Sequence, residues 1–154
     1  GITTGWITDT ANNFWLTGVQ LEVGTYTSSD LPPFRHESYG DNLARCQRYY
    51  YKIIDTGYFG VGNIDGSNDA QILCQFPTTM RTAPTALETS GTATDYYIRT
   101  TSNNTCTSVP AFSDSGVNLG MVICYKTSHG LTNQIAAFCR AANSNAMLAW
   151  SAEL

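Results

Sequence analysis

The sequence predicts an all-β fold: a β-sandwich or jelly-roll-like domain with an N-terminal extended arm and one short helix. From residue 49 onward, short apolar runs alternate with clusters of Gly, Pro, Asn, Asp and Ser, a spacing typical of sandwiches. Threonine is the commonest residue, and its branched side chain suits the half-buried surface of a sheet. Charged residues make up only 13% of the chain, which predicts a surface of hydroxyls and amides.

The first 37 residues are predicted to be an N-terminal strand and linker that end an upstream module, with residues 38–154 as the C-terminal β-sandwich domain. One apolar face is expected at period two: Trp15, Val19, Leu21 and Val23. A single strand cannot bury such a face alone. Residues 24–37 contain Pro32-Pro33 and are predicted to be the linker. Because the sequence starts in mid-pattern without Met, we expect a piece of a longer polypeptide.

A short helix is predicted directly after the linker. Ser38 and Asp41 have the spacing of a capping box, and Gly40 with Asp41 offers an alternative start. The apolar positions at i, i+3 and i+7 are Leu43, Cys46 and Tyr50. Three consecutive tyrosines at 49–51 then favour a strand.

Seven strands, separated by turn clusters, are predicted in the C-terminal domain. The predicted strands are Tyr49–Asp55, Ala70–Phe76, Thr85–Thr89, Tyr96–Thr100, Val117–Thr127, Gln134–Ala141 and Ala146–Ala152. The predicted turns cover residues 62–67, 82–84, 102–104, 113–116, 128–130 and 143–145. The segment Gln134–Ala141 also fits a helix, but the turns that bracket it closely favour a strand.

Charge and hydropathy exclude two classes of partner. The net charge is −4 with eight Lys and Arg, and no basic run is present, so we expect no nucleic acid binding. No stretch reaches the roughly 20 apolar residues of a membrane helix, so we expect no membrane insertion.

The cysteines are odd in number and widely spaced: Cys46, Cys74, Cys106, Cys124 and Cys139. A disulfide framework or a metal site needs closer or paired spacing. Cys74, Cys124 and Cys139 lie in apolar runs, which favours free thiols buried as small hydrophobic side chains. We therefore expect no metal site and no cofactor.

Groups for catalysis are not arranged at the spacing of any catalytic motif. His36 lies in the linker and His129 in a predicted turn, without a nucleophile motif beside either one. Glycoside hydrolysis needs two facing carboxyl groups. The acidic residues considered are scattered over the arm, strand ends and turns: Glu22, Glu37, Glu88, Glu153, Asp55, Asp65, Asp69, Asp95 and Asp114. The prediction is no enzyme, with no catalytic residue.

Two local patterns have both a functional and an ordinary reading. The segment Asn63–Asp69 resembles part of a calcium loop, but the bidentate Glu of the full pattern is missing, which favours a plain turn. Asn103-Asn104-Thr105 matches a glycosylation sequon, a frequent chance match that is irrelevant to a protein made in bacteria.

Aromatic side chains either pack in the core or, where exposed, stack against sugar rings. The ones considered are Trp6, Trp15, Tyr58, Tyr96, Tyr97, Tyr125 and Trp150. Tyr96 and Tyr97 are neighbours in a predicted strand, so they are expected to point to opposite faces.

One junction resembles a pattern found in tailed bacteriophages. TGVQLEVG at 17–24 and PPFRHESYGDNLARCQRYYYK at 32–52 resemble "TGVQLEVG … TPFEHRSYGEELALCQRYY", which recurs in tail fibre and other virion structural proteins. FPTTMRTAP at 76–84 is similar to their "FPVPMRATPT" element. This chain departs from the pattern in lacking the upstream jelly roll and in a longer linker, residues 28–31.

The resemblance implies a bacteriophage structural protein: the distal tail-fibre, receptor-binding domain on the virion surface, assembled in the host cytoplasm. It implies a homotrimer that contacts other virion proteins and attaches to a host surface glycan or protein receptor. It supplies no ligand residues, so the binding residues are unknown at this point.

Two alternatives stay open. The first alternative is a capsid decoration, cement or head-fibre protein, which a broad apolar face matched to a lattice would favour. The second is a glycan-degrading, tailspike-type enzyme, which two carboxylates across a groove would favour. An amide-lined or aromatic groove at the free end favours receptor binding.

We expect the chain to be a homotrimer, because burying a large apolar side chain stabilises by about 1.5–3 kcal/mol and closed symmetry hides such faces. Light scattering at micromolar concentration should give the mass of three 16.8 kDa chains. Replacing Trp15 and Leu21 with Asp should release monomers. A monomer of the unmodified chain would contradict the expectation, and a dimer would reject the fibre analogy while keeping the interface.

Overall fold

The structure, a computed structural model, describes residues 19, 21, 23–27, 29–54, 57–66, 68–127 and 131–153. The chain divides into two compact units, Gly1–Ser38 and Tyr39–Leu154. Each is described by itself below.

The described part of the first unit contains a local turn and no helix or strand. The Asp30 carboxylate accepts hydrogen bonds from the amide and the hydroxyl of Thr27, and the Asp30 amide donates to the Thr27 carbonyl at 3.3 Å. The bond from the Thr27 hydroxyl, followed by that from its amide, lowers the pKa of Asp30. Trp15, the first residue of the predicted apolar face, lies outside the described residues, whereas Val19, Leu21 and Val23 are exposed.

The second unit contains one α-helix, ten strands and a short 3₁₀ turn among its described residues. The helix α1 is Tyr39–Gln47, and the 3₁₀ turn is Ala93–Asp95. The strands are β1 Tyr50–Ile54, β2 Tyr58–Ile64, β3 Asp69–Gln75, β4 Leu87–Thr89, β5 Tyr96–Arg99, β6 Asn103–Thr105, β7 Ala111–Ser115, β8 Leu119–Tyr125, β9 Ala136–Ala141 and β10 Met147–Ser151.

The strands form two antiparallel sheets. The small sheet has the order β1-β10-β4, and the large sheet has the order β6-β5-β9-β2-β3-β8-β7. Strands β3 and β8 alternate between buried and more exposed residues, as expected for a sheet with one face on the core. The prediction of an all-β, sandwich-like domain with one short helix is confirmed.

In the core, Trp150 of the small sheet packs against the large sheet. Trp150 is fully buried, lies parallel to Tyr51 with ring centroids 6.3 Å apart, and meets Phe76 edge-on at 5.3 Å. On the large sheet, Gly120 lies directly against the indole, since a Cβ there would be 2.6 Å from Nε1. The absence of a side chain at Gly120 therefore leaves the space on the large sheet that the Trp150 ring occupies.

A second buried contact joins the sheets through Tyr96 at the start of β5. Its hydroxyl donates to the Met147 carbonyl at 2.6 Å and accepts from the Ser90 amide at 2.8 Å. Beside it, the buried Asp95 accepts a 2.7 Å hydrogen bond from the Asn143 side chain. These bonds satisfy polar groups that would be costly to bury unpaired.

Three strands were missed by the sequence prediction. The predicted turn at 62–67 is wrong at its start, because Gly62 and Asn63 belong to β2. Gly62 is needed inside the strand, since a Cβ there would lie 1.7 Å from the Gln71 carbonyl oxygen. The predicted turns at 102–104 and 113–116 likewise run into strands β6 and β7, and β7 has a register shift between Phe112 and Asp114.

The helix follows its predicted position but not its predicted packing. It begins at Tyr39 and ends at Gln47, yet no residue of it is buried. Leu43 and Cys46 are exposed, and Tyr50 starts β1 instead of extending the helical face. The i, i+3 spacing there marks a solvent-facing stripe.

Replacing Gly120 with Ala should destabilise the protein by about 1–3 kcal/mol, because the buried indole cannot move away from the new methyl group. Replacing Gly116 with Ala is the matched control, since nothing lies within 4 Å of a Cβ there. Urea denaturation followed by tryptophan fluorescence gives both free energies of unfolding. Equal stability of the two variants would show that Trp150 is not packed as described.

Candidate functional site

The described surface contains a groove where the β5–β6 hairpin turn faces the segment that leads into β9. Its volume is about 320 Å³, at the lower end of the range for ligand sites. We call it the hairpin groove, and its lining is Thr100, Thr101, Ser102, Asn104, Leu131, Thr132 and Ile135.

One wall of the hairpin groove is fixed by Asn104, a nearly buried amide on β6. Its Nδ2 donates to the Thr100 hydroxyl at 3.4 Å and to the Ser102 carbonyl at 3.3 Å. Its Oδ1 accepts a hydrogen bond from the Lys126 ammonium at 3.2 Å. Because both ends of the amide are engaged, the turn keeps one shape and holds its hydroxyls toward the groove.

The opposite wall is fixed by backbone bonds to the end of β2. The Ile64 amide donates to the Ile135 carbonyl at 2.9 Å, and the Gln134 amide donates back to the Ile64 carbonyl at 3.0 Å. Gln134 has φ of 62°, a left-handed conformation that is uncommon for a residue other than glycine. This bend leaves the Ile135 side chain exposed at the rim, while Leu131 is buried at the base.

The lining suits a neutral polar ligand with some apolar surface, such as a saccharide. Four hydroxyls offer donors and acceptors, and Leu131 and Ile135 offer apolar contact. None of the described lining residues has a titratable side chain, so these residues supply no acid or base to the groove.

The acidic residues that the structure describes are not among the lining of the hairpin groove. Glu88 accepts from the Tyr50 hydroxyl at 3.1 Å, on the outer side of the small sheet. The buried Asp95 carboxylate accepts a hydrogen bond from the Asn143 side chain, and the Asp114 carboxylate accepts one from the Ser115 amide at 2.7 Å. Glu37 and Glu153 are exposed. The positions of Glu22 and Asp55 fall outside the described residues.

Of the two histidines, His36 is within the described residues, and no nucleophile is described beside it. His36 is exposed and lies edge-on to Phe34, with ring centroids 4.7 Å apart. His129 lies outside the described residues.

The segment with partial calcium-loop character forms the β2–β3 turn. Asp65 accepts a hydrogen bond from the Gln71 amide, and the Gly66 amide donates to the Asn133 side chain at 3.2 Å. Burial, and then the nearby Asp65 charge, raise the pKa of Asp69. Within the described residues, no three His, Cys, Asp or Glu side chains are grouped to hold a metal ion. Ser67 of this segment lies outside the described residues.

Four of the five cysteines lie in the core, on the inner face of the large sheet or beside it. The buried ones are Cys74, Cys106, Cys124 and Cys139, and all five are free thiols in the structure. Burial raises the pKa of Cys74 to about 12. The hydrogen bond with Cys124, followed by burial, raises the pKa of Cys106. The predicted placement of Cys74, Cys124 and Cys139 in buried strands is confirmed.

The aromatic residues divide between core and surface. Tyr96 is buried and Tyr97 is half-buried on the outer face, so the expectation that they point to opposite faces is confirmed. Tyr58 and Tyr125 are exposed, whereas Trp150 belongs to the core. Trp6 and Trp15 lie outside the described residues.

An exposed apolar row crosses the outer face of the large sheet. Strand pairing aligns Phe138 with Val61, Val61 with Leu73, and Leu73 with Met121. Val61, Leu73 and Phe138 are 53%, 43% and 38% exposed, which is unusual for adjacent apolar side chains. We call these four residues the apolar row.

Sequence reasoning missed the hairpin groove. Residues 102–104 were predicted as a turn, and no binding role was predicted for any residue of the lining. The available signal was the run of hydroxyl and amide residues at 100–105, TTSNNT. The second wall, 131–135, is brought to this run because β5 pairs with β9.

No described helix is long and apolar enough to cross a membrane. Comparison of the chain with protein-family models, with curated proteins and with solved structures gives no match.

In the native protein, Ellman's reagent at mildly alkaline pH should react rapidly with one thiol per chain, that of the exposed Cys46. The thiolate is the reactive form, and burial protects the other four thiols. Denaturation should release all five, and Cys46→Ser should remove the rapid phase. Two or more rapid thiols in the native protein would contradict the core placement.

Proposed function

We propose that this chain is a non-enzymatic virion protein of a tailed bacteriophage, the receptor-binding domain at the distal end of a tail fibre. In this role it attaches the phage to a saccharide or protein on the host surface. It is displayed on the virion surface after assembly in the bacterial cytoplasm.

The hairpin groove is the observation that carries the proposal. It combines four hydroxyls with two apolar side chains, and none of its described lining residues is titratable. Such a lining matches the alternating hydroxyl and C–H surface of a sugar, and its described residues include no acid–base pair of the kind that a hydrolase uses. The junction at residues 17–52, which resembles tail-fibre proteins, supports the location on the virion.

Several copies acting together are part of the proposal. A groove of about 320 Å³ accommodates only a small part of a glycan, so one copy binds weakly. A homotrimer gains avidity because the second and third contacts form at high effective concentration. The exposed Val19, Leu21 and Val23 supply apolar surface for such an assembly.

A capsid decoration or cement protein is the second candidate, and the apolar row favours it. Adjacent exposed apolar side chains on one sheet face are typical of surfaces that contact other proteins. The same row is also available for contacts between virion proteins in a fibre. The two candidates therefore differ in whether the hairpin groove binds a ligand.

Replacing Thr132 with Trp should fill the hairpin groove and abolish binding to an array of bacterial surface polysaccharides and to whole host cells. Thr85→Trp is the matched control, because Thr85 is equally exposed but precedes β4 in the small sheet. Incubation with the bound polysaccharide should release no reducing ends.

The unmodified protein should bind at least one polysaccharide or cell type, and the Thr85→Trp control should bind the same targets. Unchanged binding by the Thr132→Trp variant would show that the hairpin groove is not the attachment site. Release of reducing ends that is lost on mutating one Asp or Glu would identify an enzyme.

A further inference from the structure

Two arginines occupy neighbouring strands on the outer face of the large sheet. Arg99 on β5 pairs with Phe138 on β9 and with Asn103 on β6. Arg140 on β9 lies in the next row, between Tyr97 of β5 and Tyr58 of β2. Diagonal neighbours on one sheet face are within reach of long side chains, so the two guanidinium groups share one surface.

Both guanidinium groups converge on the same neutral oxygen. Nη1 of Arg99 donates to Oδ1 of Asn103 at 3.3 Å, and Nη1 of Arg140 donates to the same atom at 3.5 Å. An amide oxygen accepts both bonds but neutralises neither charge. Within the described part of the chain, neither arginine forms an ion pair. Among the described residues, two like charges are therefore held together without a counter-charge, which costs free energy.

The sequence does not force this arrangement. The chain has twelve Asp and Glu against eight Lys and Arg, so carboxylates are more numerous than cations. A random placement would give each arginine acidic neighbours more often than basic ones. The two neighbouring arginines thus give this surface a local positive charge, opposite in sign to the net charge of the chain.

Among the described contacts, Arg140 uses little of its hydrogen-bonding capacity. Its guanidinium carbon lies 5.7 Å from the centre of the Tyr58 ring, and its Nε is buried without a hydrogen-bond partner. Of its five N–H donors, the described contact to Asn103 uses one, at the upper limit of distance. A buried donor without an acceptor is costly, and it is a feature expected of a site completed by a ligand.

Aromatic rings border the pair on one side. Tyr58 is 56% exposed and meets Phe138 edge-on, with ring centroids 5.3 Å apart. Tyr97 is half-buried beside Arg140. Exposed aromatic faces pack against the C–H surface of sugar rings, while a guanidinium binds carboxylate or phosphate oxygens in pairs.

We infer that Arg99 and Arg140 bind the anionic group of an acidic surface saccharide, a sugar carboxylate or a sugar-linked phosphate, with Tyr58 against the sugar ring. One anion oxygen contacts each guanidinium, so a single group neutralises the repulsion between them. The inference rests on the proposed attachment function for the source of the ligand, and it names the chemical class that the attachment surface prefers.

Isothermal titration calorimetry with three probes tests the inference: trigalacturonate, a glycerol-phosphate oligomer and neutral galactotriose. The acidic probes should bind more tightly than the neutral one, and a preference between the two acidic probes identifies the source of the anion. Arg99→Gln and Arg140→Gln should each weaken binding at least about tenfold. Added salt should weaken binding to the unmodified protein, since the contact is between charges.

Arg81→Gln is the matched control. Arg81 lies over the Tyr49 ring at 5.8 Å, nearly the geometry of Arg140 over Tyr58, but Tyr49 precedes the small sheet. The control removes one positive charge from a cation–π contact that lies outside the arginine pair, so binding of the acidic probes should be unchanged. Arg99→Lys and Arg140→Lys keep the charge and should retain part of the affinity, which separates ligand binding from folding.

Three results would overturn the inference: no binding of either acidic probe to the unmodified protein, equal loss in Arg81→Gln, or tighter binding of an oligothymidylate of equal charge. Cell binding measured in parallel separates this inference from the proposed function. Cell binding that persists in the Arg99→Gln, Arg140→Gln double variant would refute the anion site and leave attachment standing. Probe binding without cell binding would refute attachment and leave the anion site standing.

Discussion

The contact between Trp150 and Gly120 is the constraint on which the second unit depends. Trp150 lies in the central strand of the small sheet, and its ring enters the space that the missing side chain of Gly120 leaves in the large sheet. The indole Nε1 is buried without a hydrogen-bond partner, so packing alone holds the ring. The Trp150 ring therefore fills the space that Gly120 leaves on the large sheet.

The composition of the two inner faces follows from this contact. The large sheet contributes small side chains as well as large ones, the small ones including Cys74, Cys124, Cys139 and Ala137, while the small sheet contributes Trp150 and Tyr51. Large and small residues interlock in this way in well-packed cores. The cysteines are thus explained by volume and hydrophobicity, and the raised pKa values of Cys74, Cys106 and Cys124 keep these three as thiols.

Because the core uses only one face of the large sheet, its outer face and its loops are free for recognition. The hairpin groove lies at the β5–β6 turn, and the arginine pair lies on the strands beside that turn. Arg99 and Thr100 are consecutive in the chain, as are Asn103 and Asn104. One short hairpin thus contributes to both features, which links the rigid core through β5 to the surface proposed to meet the host.

The sequence predicted the strands whose apolar residues alternate and failed where local signals conflict with tertiary context. Strands β3, β8 and β10 were found because their apolar residues are continuous or alternating. Strand β2 was missed because Gly62 and Asn63 signal a turn, although Gly62 serves a close approach to β3. The groove could not be predicted, because its walls lie about thirty residues apart and meet only through the pairing of β5 with β9.

The same limit explains why the arginine pair was not predicted. Arg99 and Arg140 are separated by forty residues and belong to strands identified individually, but the register that places them diagonally is a property of the sheet. The partial calcium pattern shows the reverse case. There, neighbouring oxygen-bearing residues suggested a site, and the structure uses Asp65 and Gly66 to close a turn.

Immunogold electron microscopy of intact virions tests the central claim, that this domain is displayed at the host-facing end of a tail fibre. The antibody should be raised against the folded unit Tyr39–Leu154. The account predicts gold particles at the distal tips of the fibres, and loss of adsorption to host cells when the antibody is present. Gold over the capsid, or virions that carry no label at all, would contradict it.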